Sequence, residues 1–286
     1  MKTGWLIYRK KDAERNSHNI TFYERAGQKR GIQILLRYFE EFSYGTDGEG
    51  LTLSYEGGFV ELPDFVVMRA DEPLFSYHLE LMGLRVFNNS YLSLVANDKA
   101  RTLQVVSAAG VSTPETRLAR HSDALKKARE LGYPLVIKPR DGHGGIDVLW
   151  IKNEASLAET LRDYQHDTFL LQKPVSDLGK DLRVYVVGKK VVAAMLRQRE
   201  DDFRSNYCLG GSATCYTLSE EEMALVQKVI SLFDIGFAGI DFMFSGGRMI
   251  LNEIEDVVGA RMLYHLTDMD VVDVYVQHIA ETIGLI

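Results

Sequence analysis

Apolar residues in this chain fall into two kinds of spacing. Short unbroken runs at residues 4–8, 65–68 and 84–87 have the signature of strands buried on both faces. Elsewhere apolar positions recur every three or four residues. That spacing predicts a helix from about 19 to 42, carried by Ile20, Tyr23, Ala26, Ile32, Leu35, Tyr38 and Phe39 and interrupted by Gly27 and Gly31. A second helix is predicted over 73–82. The alternation through residues 1–90 predicts a small α/β unit with a largely parallel sheet.

The middle of the chain reads as a compact α+β unit. A helix over 97–109 stops at Gly110, placed as a C-cap glycine, and Ser122 stands where it caps a helix running to Leu131, ended by Gly132. Strands are expected at 116–118, 135–138, 147–151 and 168–172, with a helix at 154–163. The last third is richer in hairpins. Strands at 183–187 and 191–197 flank Gly188-Lys189, and strands at 237–244 and 249–254 flank Gly246-Gly247. Between them, Ser219 is placed to cap a helix over 218–233, with three glutamates in its first turn. An amphipathic helix over 269–283 closes the chain. The fold class is therefore α/β (α+β).

Composition narrows the partners. The 286 residues are 46% hydrophobic and 26% charged, which suits a globular protein with a full core and excludes collagen-like, disordered and disulfide-scaffold classes. Forty acidic residues against 33 basic ones give a net charge of −7, so nucleic acid is not the expected partner. Cys208 and Cys215 form no metal-binding or disulfide pattern. The opening apolar run is too short for the core of an export signal, and no stretch reaches the ~20 apolar residues that span a bilayer. The expectation is a soluble, cytoplasmic protein that engages neither nucleic acid nor membrane. Its oligomeric state is open, a homo-oligomer included.

Three groups of residues have chemical potential. Asp141-Gly142-His143-Gly144-Gly145 follows an apolar strand, and glycines there let backbone N–H groups approach an anion. No Gly-Lys-Ser/Thr follows, and the next element is a strand, so the loop is neither a Walker A loop nor a Rossmann fingerprint. It is a nucleotide-covering flap or a plain hairpin turn. In the last hairpin, a three-residue loop Gly246-Gly247-Arg248 sets Ser245 opposite Met249 and Asp241 opposite Glu253, with Glu255 on the same side. Converging carboxylates repel unless a cation joins them, and an all-oxygen set suits Mg²⁺; a solvated acidic hairpin end is the alternative. Lys99, Lys138 and Arg204 are either phosphate partners or surface charges. His143 has no nucleophile beside it in sequence.

Taken in order, these pieces resemble the RimK-type branch of the ATP-grasp ligases. The resemblance rests on Asn97-Asp98-Lys99, residues 135–138 with the glycine flap, Leu170-Leu171-Gln172-Lys173-Pro174-Val175, and Gly179-Lys180-Asp181-Leu182-Arg183-Val184. It continues through Val191-Val192-Ala193-Ala194, Phe203-Arg204-Ser205-Asn206, Gly210-Gly211, Gly239-Ile240-Asp241 and Asn252-Glu253-Ile254-Glu255. It implies the ATP-grasp fold in three parts: an N-terminal α/β domain (1–95), a central lid (96–172) and a C-terminal subdomain (173–286), with ATP between the last two. On the family pattern Lys99 and Lys138 meet phosphates, and Gly142, Gly144 and Gly145 form the flap. Gln172, Lys173 and Val175 meet adenine, and Asp181 lies near the ribose. Arg204, Ser205 and Asn206 reach the phosphates and the reacting carboxylate, Arg204, Asn206 and Lys138 being the catalytic set. Asp241, Glu253 and Glu255 hold Mg²⁺, with Mn²⁺ as a substitute.

The resemblance further implies a carboxylate–amine ligase acting on an amino acid or peptide. The carboxylate becomes an acylphosphate at the expense of ATP, an amine attacks, and ADP and phosphate leave. An ATP-grasp phosphotransferase and a nucleotide-binding regulator without turnover are the other classes. The chain departs from the pattern at Glu255, where the branch has Asn, and at Lys173, where it commonly has Glu. It also departs at Asp256-Val257-Val258-Gly259-Ala260-Arg261, beside the acceptor region. Arg261 there either meets a substrate carboxylate or neutralises Asp256.

Overall fold

The computed structural model describes residues 1–142, 144–199 and 212–286. Residues 1–89 form the expected parallel unit. Strands β1 (Lys2–Tyr8), β2 (Ile32–Tyr38), β5 (Phe65–Met68) and β6 (Arg85–Phe87) make a sheet in the order β2-β1-β5-β6, every pair parallel. Helices α1 (Lys10–Arg15) and α2 (Ser17–Gln28) link β1 to β2, and α3 (Pro73–Leu81) links β5 to β6. The helix predicted over 19–42 is therefore two elements. It ends before Gly31, at φ 66°, and the chain then turns into β2, where buried Ile32 and Ile34 alternate with exposed Gln33. A hairpin not anticipated from sequence, β3 (Phe42–Thr46) with β4 (Leu51–Tyr55), follows, its Phe42 and Tyr44 rings lying on Phe75.

Two helices join this unit to the rest: α4 (Ser90–Ala96), capped by Asn89, and α5 (Lys99–Ala108), capped by Asp98. The lid follows, an antiparallel sheet in the order β7-β10-β8-β9 made of β7 (Thr116–Arg120), β8 (Leu135–Pro139), β9 (Leu149–Ile151) and β10 (Thr168–Gln172). Helices α6 (Ala124–Leu131) and α7 (Glu154–Asp163) enclose a core that includes Ala128, Leu135, Ile137, Leu157 and Phe169. Asp123, not Ser122, stands at the start of α6.

The C-terminal sheet, order β13-β12-β11-β14-β15, is antiparallel. It comprises β11 (Lys180–Val187), β12 (Lys190–Gln198), β13 (Ser212–Cys215), β14 (Phe237–Ser245) and β15 (Arg248–Glu255). Gly188-Lys189 turns β11 into β12 as expected. Helix α8 (Glu220–Ile230) packs on one face, and Ser219 caps it through a reciprocal pair with Glu222. Helices α9 (Arg261–Leu266) and α10 (Val271–Thr282) complete the chain.

Alternation along β11 decides what each face covers. Leu182, Val184 and Val186 pack with Val226 and Val229 of α8 and with Val95, Val106 and Val111 from the α4–α5 region. Tyr185 and Val187 point the other way, into a core shared with Tyr8, Tyr23, Phe65 and Phe87 of the parallel unit and Tyr275 of α10. The first and last parts of the chain are thus fused through common cores. The lid has its own core, apart from Leu170, which packs with Ala100 and Leu103 of α5.

Candidate active site

The lid and the C-terminal sheet form a cleft of about 120 Å³ between them. Lys99, Lys138, Gly142, Gly144, Gly145, Gln172, Lys173, Val175, Asp181 and Glu253, all singled out in the sequence, line it. Asp241 and Glu255 adjoin Glu253. Arg204, Ser205, Asn206 and His143 lie outside the described residues.

Both lysines are held by backbone architecture. Lys99 opens α5, where Asp98 Oδ1 accepts from the N–H groups of Ala100 and Arg101 at 3.0 and 3.2 Å, and the Lys99 N–H donates to Arg140 O. Its ammonium donates to Gly142 O of the flap at 2.6 Å and lies 3.5 Å from Glu253. Lys138 is buried at the end of β8 and donates to Asn252 Oδ1 at 3.2 Å. Burial pushes its ammonium down to about 8; Glu253 opposes that shift and Lys99 adds to it. At the other end of the cleft, the Lys173 N–H pairs with Glu115 O, its ammonium with Gly132 O, and Gln172 Nε2 with Thr116 Oγ1.

The hairpin that brings the carboxylates together differs from the expected one. Its loop has two residues, Gly246 and Gly247, both with positive φ, so Ser245 faces Arg248 and Phe244 faces Met249. A β-bulge then shifts the register between Phe242 and Asp241. Phe242 faces Leu251, Asp241 faces Glu253, and Asn252 is the extra residue. The predicted pairing of Asp241 with Glu253 is present, reached by a shorter loop plus a bulge. The bulge also delivers Asn252 to Lys138.

One oxygen each of Asp241, Glu253 and Glu255 lies within 4.8 Å of the others. Two arginines that the sequence reading left unassigned enter this cluster. Arg183 donates through Nε and Nη2 to the two oxygens of Asp241 at 2.8 and 2.7 Å, and through Nη2 to Glu255 Oε1 at 2.6 Å. Arg197 grips Asp181 with two bonds and reaches Asp241 Oδ2 at 2.8 Å. Burial works to raise the Asp241 carboxyl, but Arg183 and then Arg197 outweigh it and hold the group below the usual carboxylate range. Burial lifts Glu255 despite Arg183, with Asp241 and Glu253 adding to the rise. A charged residue inside an apolar strand was the available signal for both arginines.

Beyond the hairpin, Asp256 is buried, and the charges acting on it are those of Asp71 and Arg69. Arg69 in turn donates to Val258 O at 2.8 Å. Arg261 is exposed and is not what meets Asp256.

A family model for the RimK-like ATP-grasp domain matches residues 96–279. The chain belongs to the RimK-like ATP-grasp family. A probable alpha-L-glutamate ligase of Maridesulfovibrio salexigens is 28% identical over 98% of this chain and 95% of that protein. One from Saccharophagus degradans is 32% identical over 76% of each. The solved structure of a RimK domain ATP-grasp protein from Sphaerobacter thermophilus, 18% identical, superposes with a TM-score of 0.72 over 98% of both chains and has the same fold. RimK-like ATP-grasp enzymes are ATP-dependent, Mg²⁺-dependent ligases that form C–N bonds, and this chain is an enzyme of that class. The donor chemistry here agrees: lysine ammoniums and glycine amides suit phosphates, and three close carboxylates suit a hard divalent cation.

Proposed function

We propose that the protein joins a carboxylate to an amine on amino-acid or peptide substrates, through an acylphosphate. The observation that supports this most directly is the convergence of Lys99, Lys138, the glycine flap and Glu253 on one cleft, with Asp241 and Glu255 beside it.

In this reading Lys99 and Lys138 bind the phosphates of ATP, and the backbone around Gln172, Lys173 and Val175 receives adenine. Asp181 stands on the ribose side. Gly142, Gly144 and Gly145 fold over the phosphates and exclude water from the activated acyl group. A carboxylate oxygen of the first substrate attacks the γ-phosphorus and ADP departs. The amine then attacks the acyl carbon, phosphate leaves, and the amine loses a proton. Arg204 and Asn206, matched on the family pattern with Ser205, steady the charge passing between carboxylate and phosphate. Asp241, Glu253 and Glu255 hold Mg²⁺, or Mn²⁺ in its place, which supplies charge neutralisation to the phosphoryl group. The lid is the moving part. No helix among the described residues is long and apolar enough to cross a membrane.

The test is ADP release over a panel of amino acids and short peptides, with hydroxylamine as trapping amine. Hydroxamate formation supports the ligase reading. A phosphorylated product without hydroxamate marks a phosphotransferase, and absence of turnover marks a nucleotide-binding regulator.

A further inference from the structure

Resting on the metal assignment above, we propose that Arg183 is the cation shared by Asp241 and Glu255, and that it keeps the carboxylate trio from taking up a divalent ion until a nucleotide is bound. The sheet register puts it there. Arg183 on β11 faces Asp241 on β14, whose other neighbour is Glu253 on β15, and Gly239, two residues before Asp241, faces Glu255. The Arg183 stem runs past Gly239, where an added Cβ would lie 3.6 Å from Arg183 Cδ and 2.7 Å from Val258 Cγ2. The glycine is required by Val258, and the Arg183 stem passes it at ordinary contact distance on its way to Asp241 and Glu255.

Charge completes the reasoning. Asp181, Asp241, Glu253 and Glu255 stand against Arg183, Arg197, Lys99 and Lys138, and these eight side chains sum to zero. A neutral site attracts a free divalent ion weakly, however many carboxylates it shows. Phosphates arriving at Lys99 and Lys138 make the same site anionic and draw Lys99 off Glu253, so nucleotide and ion bind cooperatively. Glu255 has a distinct role in this scheme: its charge balances Arg183, where an asparagine would leave the arginine half paired.

The experiment is a Mn²⁺ titration of the intact protein, followed by the electron-spin-resonance signal of free Mn²⁺, with and without ADP. For the parent, Mn²⁺ binds about tenfold or more weakly without ADP. Arg183→Gln closes most of that gap by tightening nucleotide-free binding about tenfold, because it leaves three carboxylates under-compensated at short range. Arg183→Lys, which keeps the charge, stays near the parent. Arg183→Gln and Glu255→Gln combined return nucleotide-free affinity towards the parent value. Nucleotide-free affinity in Arg183→Gln that is unchanged or weaker, with circular dichroism intact, overturns the proposal. If that variant fails to fold, the parent decides: equal Mn²⁺ affinity with and without ADP also overturns it. The titration involves no turnover, so loss of the ligase reading through the hydroxylamine assay leaves this result intact, whereas failure of Mn²⁺ to bind even with ADP removes both metal assignment and proposal.

Discussion

Lys138 at the end of the lid strand β8 donates a hydrogen bond to Asn252, the extra residue in the bulge of β15. The contact spans the cleft and aims a buried ammonium at the proposed phosphate position. Lys138→Ala is expected to weaken ATP binding about 10- to 100-fold, the usual worth of a charge-assisted hydrogen bond. Asn252→Ala, which removes only the orienting acceptor, should fall short of that. Calorimetric ATP affinity equal to the parent in Lys138→Ala, with the fold intact, counts against the assignment.

The same lysine predicts a pH dependence. An ordinary ammonium holds its proton to about 10.4, but burial brings Lys138 to about 8 in the free protein. Raising pH through 8 removes the charge that phosphates would meet, so ATP affinity should drop between pH 7 and 9. Lys138→Ala should flatten that part of the profile. A parent profile flat over this range contradicts the prediction.

Gly144 has φ 73°, and open space surrounds the position of a Cβ there. Gly144→Ala therefore meets conformational resistance alone, about 1 kcal/mol. The Michaelis constant for ATP should rise a few-fold while the melting temperature falls by no more than about 2–4 °C. In the parent, amide exchange at residues 144–148 should slow when an ATP analogue binds; equal exchange with and without it defeats the flap assignment.

Glu255→Asn should retain substantial activity, because an amide oxygen still coordinates Mg²⁺. Glu255→Ala should need far more Mg²⁺ for half-maximal rate. Glu253→Ala should be worse, since Glu253 lines the cleft, faces Asp241 and lies 3.5 Å from Lys99. The reverse ranking in Mg²⁺ titrations of rate would break the assignment.

Asp256 gives a stability prediction. Burial pushes its carboxyl up to about 6, and Oδ1 has no hydrogen-bond partner. The folded-state value exceeds the unfolded one near 3.9, so the native state binds more protons between those values and loses stability as pH rises through them. Above pH 6 the penalty is fully present, roughly 3 kcal/mol for two units. Asp256→Asn should therefore stabilise the protein at pH 7.5 and have little effect near pH 4. Urea midpoints that shift equally at both pH values would refute this.

Much of the cleft was legible because its residues sit in local patterns. Lys99 follows a helix cap, Lys138 ends an apolar strand before a glycine loop, and the acidic hairpin announces itself by two glycines. Arg183 and Arg197 stand out as charges in apolar strands, but their partners were not legible. The partners of Arg183 lie 58 and 72 residues away in sequence and become neighbours only through strand pairing. The segment after Gly31 misled for a different reason. Ile32, Leu35, Tyr38 and Phe39 satisfy a helical period, and pairing with β1 settled residues 32–38 as a strand, with Phe39 opening a short 3-10 turn. The carboxylate register came out right although its loop was taken one residue too long, because the bulge at Asn252 restored the offset.

The lid is a guest within another unit, inserted between α5 and β11. The chain leaves and rejoins its host at one place, where the Lys173 N–H donates to Glu115 O at 2.9 Å. Most of its core is its own, but Leu170 packs on Ala100 and Leu103 of α5 and Arg140 pairs with Asp98, so a replacement of equal end-spacing leaves the host's interior closed when it keeps those contacts. Grafting is the practical use: a lid exchanged at residues 115 and 173 would carry the flap, Lys138 and half of the hinge, while Asn252, the carboxylates and their arginines stay behind.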